Sequence, residues 1–181
     1  NDIVYLLSID SERMKVFMVE IIIRDAREED FDRIVELNAM EVQQTSSMDR
    51  QRLIELAQLA SYHKVAIVNG RVAAFILAMK ENVPYQNDNY AWFAKRLREF
   101  IYVDRIVVDS AFSGLKIGSR IYTELFDFAR VHGMSYIACE YNIQPPNPAS
   151  KKFHDKFGFQ ELGTQWLANG TKEVSLQAAK V

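Results

Sequence analysis

Apolar positions along the chain change period several times, and each change marks an element. Val19 to Ile23 is a short β-branched run and predicts a strand. Glu28, Glu29 and Asp30 follow it, placing negative charge where a helix N-terminus favours it. Phe31, Ile34, Val35 and Asn38 then keep a helical period, and Leu53, Leu56, Ala57 and Ala60 predict a second helix over 48–60, capped by Ser46 or Ser47. Val65 to Val68, Asn69-Gly70 and Val72 to Met79 form the clearest local signal. Asn-Gly between two apolar runs predicts a two-residue hairpin turn, because both turn residues need positive φ.

The pattern breaks over 81–99, a polar but aromatic-rich insert carrying Tyr85, Tyr90, Trp92 and Phe93. Phe100 to Val108 resumes as a strand whose apolar end, Ile106-Val107-Val108, predicts burial on both faces. Ile117, Ile121, Leu125 and Phe128 mark a helix closed by Arg130, His132 and Gly133. Tyr136 to Tyr141 predicts a strand. Asn147-Pro148 opens a further helix, with Asn as cap and Pro at its first position, and Phe153 and Phe157 lie one turn apart on it. Phe159 to Leu167 and Glu173 to Leu176 predict a closing hairpin around Asn169-Gly170. The order is mixed α/β: an antiparallel meander, then strand–helix–strand–helix, then a hairpin, with no internal repeat.

Composition narrows the function classes. The chain has 181 residues, enough for one domain. With 22 Lys plus Arg against 24 Asp plus Glu, the net charge is −2, so no global field favours nucleic acid or an anionic membrane. Cys139 is the only cysteine, which excludes an intramolecular disulfide framework. The three histidines, His63, His132 and His154, include no i, i+4 pair, so zinc-hydrolase spacing is missing and no metal site is predicted. No run approaches the 18 or so apolar residues of a membrane span, and the expected setting is the cytoplasm. Residues 1–17 read as an N-terminal extension of open origin, with Met14 or Met18 as alternative starts, and residues 18–181 as one domain.

Chemistry concentrates in two stretches. In the first, the Ile106-Val107-Val108 strand runs through Ser113, Gly114, Leu115, Lys116, Ile117, Gly118 and Ser119 into an amphipathic helix. Successive backbone N–H groups and the positive helix end converge there, which suits an anion such as a phosphate. Turn chemistry alone is the competing reading. The ending Gly-Lys-Ser/Thr of a nucleotide-triphosphate loop and the Gly-x-Gly-x-x-Gly of a dinucleotide fold are both missing. The second stretch runs from Asn147 through Ser150, Phe153, His154 and Lys156 to Gly158-Phe159.

Together the two stretches resemble the GNAT acetyltransferase superfamily, whose loop reads Gln/Arg-x-x-Gly-x-Gly/Ala and whose later helix reads Asn-x-x-Ala-x-x-Leu-Tyr-x-Lys-x-Gly-Phe. Asn147, Lys156, Gly158 and Phe159 match, Ser150, Phe153 and His154 are substitutions, and the loop starts with Ser113 and carries Lys116 at its middle glycine. Lys116 is expected in an ordinary backbone conformation, since positive φ would strain it. The resemblance implies an α/β (α+β) fold with a central, mostly antiparallel sheet of six to seven strands. About four helices flank it, and a parallel strand pair marks the coenzyme site.

The same resemblance implies acetyl-coenzyme A as co-substrate, with direct transfer to a primary amine of a small molecule or of a peptide or protein. Residues 113–119 would hold the pyrophosphate, with Lys116 adding a cation. Ile106, Val107 and Val108 would pair with the pantetheine arm, and Asn147, Ser150, Phe153 and Lys156 would line it. A backbone N–H at Val107 would polarise the thioester carbonyl.

Asp104 is the first candidate for general base, against an ion pair with Arg105, and Glu140 is the second. His154, at the family's tyrosine position, is the candidate proton donor, against a packing role. Cys139, on an apolar strand, reads as a small core residue rather than a nucleophile. The aromatic insert covers the acceptor pocket in one reading. There Asp88 and Glu81 would help hold a cationic amine; in the other it is a satellite core cluster or a homodimer contact. A non-catalytic acyl-coenzyme A-binding regulatory module and a pure interaction domain are the alternatives to an enzyme.

Overall fold

The structure, a computed structural model, describes residues 2–10, 13–167 and 170–181. Eight strands form one sheet: β1 (Asp2–Asp10), β2 (Arg13–Asp25), β3 (Tyr62–Val68), β4 (Arg71–Lys80), β5 (Phe100–Val108), β6 (Tyr136–Gln144), β7 (Gln160–Leu167) and β8 (Lys172–Lys180). Their order is β1-β2-β3-β4-β5-β6-β8-β7, antiparallel throughout except for the β5–β6 pair. The strand predicted at Val19–Ile23 is longer than its β-branched run. It begins at Arg13, and its first half pairs with β1 from Asp2↔Ile21 to Asp10↔Arg13. Among the described residues the sheet therefore carries one more strand than the six to seven expected, and residues 2–10 and 13–17 of the extension continue it.

Five α-helices cover the sheet: α1 (Phe31–Met40), α2 (Arg50–Leu59), α3 (Asp88–Ala94), α4 (Ile117–Val131) and α5 (Pro148–Asp155). β4 shows why both faces need cover. Ala74, Ile76 and Ala78 enter the core under α4, while Phe75, Leu77 and Met79 enter the core under α1, α2 and α3. A strand with period-two side chains and no polar face has to be buried twice. Among the described residues no helix is long and apolar enough to cross a membrane.

Local signals mostly act as read. Asn69 and Gly70 both have positive φ, 48° and 80°, as a primed hairpin turn requires. Asn147 caps α5 by accepting from the Ser150 N–H at 3.0 Å, with Pro148 at the first position. The cap of α2 is Asp49 rather than Ser46 or Ser47: its carboxylate accepts from the Arg52 N–H at 2.7 Å. The Asn169 turn signal lies outside the described residues.

Candidate active site

The site exists because two parallel strands part. β5 and β6 pair only over Phe100↔Tyr136, Ile101↔Ile137 and Tyr102↔Ala138, and then diverge. On its other side β5 stays paired with β4, where Leu77 faces Arg105 but Ala78 faces Val103. Asp104 is thus the extra residue of a β-bulge, a local insertion that bends a strand and increases its twist.

The bulge also sets which backbone groups are free. The Asp109 N–H reaches Ala73 O at 2.8 Å, toward β4. Backbone direction alternates along a strand, so the Val107 N–H is turned toward β4 as well, and those of Ile106 and Val108 face the open side. This corrects the expectation at Val107: its N–H belongs to the β4 ladder, and the donors turned to the gap are its neighbours.

A groove of about 420 Å³ runs along that open edge. It is lined by Ile106, Val107 and Val108, by Ser113, Gly114, Lys116, Ile117, Gly118 and Ser119, and by Asn147, Ser150, Phe153 and His154. At its far end α4 starts. The Arg120 N–H bonds Lys116 O at 3.1 Å, and by helix geometry the N–H groups before it have no intrahelical acceptor. Lys116 is left-handed, with φ 56° and ψ 29°, contrary to the ordinary conformation expected of it. The loop needs that turn to aim the helix end at the groove, and the lysine carries a strain of about 1 kcal/mol.

Gly118 sits flush against Phe153: a Cβ there would lie 3.4 Å from the ring and 3.7 Å from Val108 Cγ2. Leu115 is buried in the core beneath the loop, and Lys156 ends α5 on the exposed surface. Neither is among the groove's lining residues. An unpaired strand edge ending at a helix N-terminus beside a flush glycine fits an amide-bearing arm with a phosphate at its end, which is the shape of coenzyme A.

The groove opens into a chamber of about 490 Å³ between the diverging strands, and the two cavities share Gln44, Thr45, Ile106, Asn147, Ser150 and His154. Glu140 stands in this chamber. Its Oε1 accepts the Tyr102 hydroxyl at 2.9 Å, and Oε2 is buried with no hydrogen-bond partner. Burial, reinforced by the nearby Asp104 charge, pushes its pKa up to about 8, while the Tyr102 hydroxyl and the Asn89 side chain act in the opposite direction.

The Asp104 side chain is 3% exposed and occupied on both sides: Tyr85 donates its hydroxyl to one oxygen, and Arg105 Nε lies 2.6 Å from the other. The ion pair left open for Asp104 is therefore present. Arg105 extends further, to Asn38 Oδ1 at 2.8 Å and Ser46 Oγ at 3.1 Å, and so ties the bulge to the segment between α1 and α2.

His154 is buried against Tyr122, Phe153 and Phe159. Its Nδ1 lies 2.8 Å from Ser150 O, a carbonyl that can only accept, so the ring proton sits there. Nε2 then accepts the Tyr122 hydroxyl at 2.9 Å. Desolvation lowers the His154 pKa to about 4, which keeps the ring neutral. To donate a proton, as read for it, His154 would have to leave Ser150. Cys139 is buried, and burial raises its thiol pKa well above the usual range, in keeping with a core residue.

Several site residues carried no readable signal. Residues 42–47 roof the chamber. They are held by Asn142 and Asn147, which donate to Gln44 Oε1 at 3.2 Å and 2.8 Å, and by Lys172, whose Nζ reaches Gln43 O at 3.0 Å and Thr45 O at 3.4 Å. These contacts span roughly a hundred residues or more, and no local spacing encodes them. The aromatic insert turns inward: Tyr85, Tyr90 and Phe93 are buried with Phe100 and Tyr102, the core-cluster reading rather than the pocket cover. Glu81 accepts the Glu99 N–H at 2.9 Å, and Asp88 lines a separate depression with Trp92 and Arg96. What the insert gives the chamber is Asn87 and Asn89.

A search of curated proteins finds no match. Among solved structures the chain resembles Ard1 from Thermoplasma volcanium, with TM-score 0.72 and 16% identity over 89% of this chain and 97% of that one. It resembles the ribosomal-protein-S18-alanine N-acetyltransferase of Escherichia coli at TM-score 0.69 and 14% identity, over 90% and 94% of the two chains. It also resembles yncA, a putative acetyltransferase from Salmonella typhimurium solved with its cofactor acetyl-CoA, at TM-score 0.67 and 20% identity, over 89% and 94%. The model of the acetyltransferase (GNAT) family matches residues 20–159, a span that takes in the parted strands, the α4 loop and α5, and the chain belongs to that family.

Proposed function

We propose that this protein is an acetyl-coenzyme A-dependent N-acetyltransferase that acylates a primary amine in the chamber, with Glu140 as the general base. The observation that carries the reading is a buried carboxyl with one oxygen unpartnered, in a cavity that joins the groove along β5. Bound in that groove, acetyl-coenzyme A supplies the acetyl group as an activated thioester.

Backbone N–H groups at the start of α4 hold the pyrophosphate, with Lys116 beside them. The Ile106 N–H faces the gap where groove and chamber meet, and it receives the negative charge that builds on the carbonyl oxygen. Glu140, with its pKa near 8, takes the proton from the attacking amine and returns it to the leaving thiolate. His154 holds the Tyr122 hydroxyl in place as part of the wall. Asp104 acts through charge: it raises the Glu140 pKa while its own oxygens are engaged.

The first test is a thermal-shift titration with acetyl-coenzyme A, coenzyme A and ATP. A ligand at a hundred times its dissociation constant stabilises the folded state by about 2.7 kcal/mol, a shift of several degrees. Shifts with both coenzymes and none with ATP are expected. No shift with either coenzyme would overturn the reading.

A further inference from the structure

We infer that Gln165 is a positioning residue for the general base: it fixes the side-chain amide of Asn89 so that its nitrogen end faces the Glu140 carboxyl. The inference deepens the N-acetyltransferase reading and rests on it for its meaning in catalysis. A carboxyl that takes a proton must first carry a charge, and a buried one does so only as far as nearby donors support it. Asn89 is such a donor in one of its two amide orientations. Turned over, it would present a carbonyl oxygen to the carboxylate and oppose the charge.

Two contacts side by side fix the orientation. Asn89 and Trp92 lie three residues apart on α3, hence on one face. Gly163 and Gln165 lie two apart on β7, also on one face. The two faces meet. Gly163 lets α3 sit flush, since a Cβ there would lie 2.9 Å from Trp92 Cζ2. Beside it Gln165 Nε2 donates to Asn89 Oδ1 at 3.1 Å. With its oxygen taken, the buried Asn89 has only N–H groups to offer the chamber. It acts on Glu140 in that sense, as a donor favouring the carboxylate, although Oε2 has no aligned bond at rest.

Gln165 is an amide too, and its own direction has a physical reason. It stands outside the chamber and lines the depression beyond α3, where Lys95 and Arg96 outnumber one carboxylate, Asp88. That excess of positive charge favours the Gln165 carbonyl outward and its nitrogen inward. Gln165 therefore acts through Asn89. The other groups that face Glu140 are Tyr102, Asp104 and Arg105 from β5, Cys139 beside it on β6 and Tyr122 from α4. His154 from α5 and Lys172 from β8 line the same chamber. The variants used below leave all of them in place.

The test titrates the Glu140 carboxyl directly, by carbon-13 NMR of protein labelled at its glutamate carboxyls, with Glu140→Gln identifying the signal. The variants are Asn89→Leu, Gln165→Met and the two combined, none of which changes a charge. Asn89→Leu should weaken the acid about tenfold, moving its midpoint up by about one pH unit from about 8. Gln165→Met should weaken it about threefold or more. The double variant should match Asn89→Leu alone, because one residue works through the other. The rising limb of the pH–rate curve should move with the titration and keep its plateau, whereas a merely structural role would lower the plateau and leave the midpoint in place. A Gln165→Met shift below about threefold overturns the inference, and this variant decides alone if Asn89→Leu does not fold. Additive shifts in the double variant overturn it as well. The titration needs no coenzyme, so the two failures are told apart: if coenzyme A does not bind, the acetyltransferase reading falls and takes the catalytic meaning of Gln165 with it, whatever the carboxyl shows.

Discussion

The groove and the chamber meet at Ile106, Asn147, Ser150 and His154, yet they are built from different material. The groove is laid along two stretches of backbone, the open edge of β5 and the first turn of α4, with Phe112 and Phe153 beside them. The chamber presents side chains drawn from the α1–α2 segment, the insert, β5, β6, α5 and the last hairpin. Backbone recognition needs only the right conformations, which a short stretch of chain can specify. Side-chain recognition needs distant segments to arrive together. A polar set such as Arg105, Asn38, Asp104 and Ser46 holds only when every member is present.

The sharpest way to break the chamber while sparing the groove is Arg105→Ala. It leaves the buried Asp104 without its cation and releases Asn38 and Ser46, and it should cost about 3–5 kcal/mol in urea unfolding. Arg105→Lys should recover little of this, because a single ammonium cannot serve three partners in a forked geometry. A loss below about 1 kcal/mol would mean that the network does not hold the roof.

Glu140→Gln should be the next largest effect, lowering the acetylation rate about a hundredfold, equal to about 2.7 kcal/mol, while coenzyme affinity stays put. In the wild type the rate should climb with pH and level off near pH 8, and the Gln variant should lack that limb. Stability runs the other way. A carboxyl raised from its ordinary 4.5 to about 8 contributes fully below pH 4.5, and the contribution is lost as pH rises through 8. The Gln variant should therefore gain relative to wild type between pH 5 and pH 9 in urea titrations, and equal pH dependence of the two proteins would contradict the assignment.

Gly118→Asp attacks the groove alone. The new carboxylate repels the pyrophosphate and its Cβ meets Phe153, so coenzyme affinity should fall about tenfold, or about 1.4 kcal/mol. Stability should move by less than about 1 kcal/mol, since an acidic residue in the first helical turn is favourable to the fold. Unchanged coenzyme affinity would remove α4 from the binding site.

The same contrast governs what could be read in advance. Asn69-Gly70, Asn147-Pro148 and the period of α4 are local instructions, and the structure obeys them. The Gly114–Gly118 loop was legible as a strand-to-helix turn for the same reason, and the helix it opens starts at the groove. Which N–H of β5 faces the groove was not legible, because it depends on a register against β4 that the bulge shifts. Lys116 shows a second limit: a residue that disfavours positive φ adopts it when the loop closure and the helix behind it outweigh about 1 kcal/mol of strain. The roof was the least legible part. Lys172 and Gln43 are 129 positions apart, and neither carries a motif. Aromatic residues in the insert read equally as a pocket cover or as a core cluster, because composition does not say which way a ring points.

The bulge at Asp104 amounts to a surplus residue, and its consequence is architectural. Were β5 one residue shorter there, it would keep the same alternation toward β4 on both sides of the deletion, and nothing local would stop β6 from zipping alongside it to the end. The sheet would then be seamless, tighter in its hydrogen bonding and without an interior. A deletion that improves the sheet would erase the enzyme.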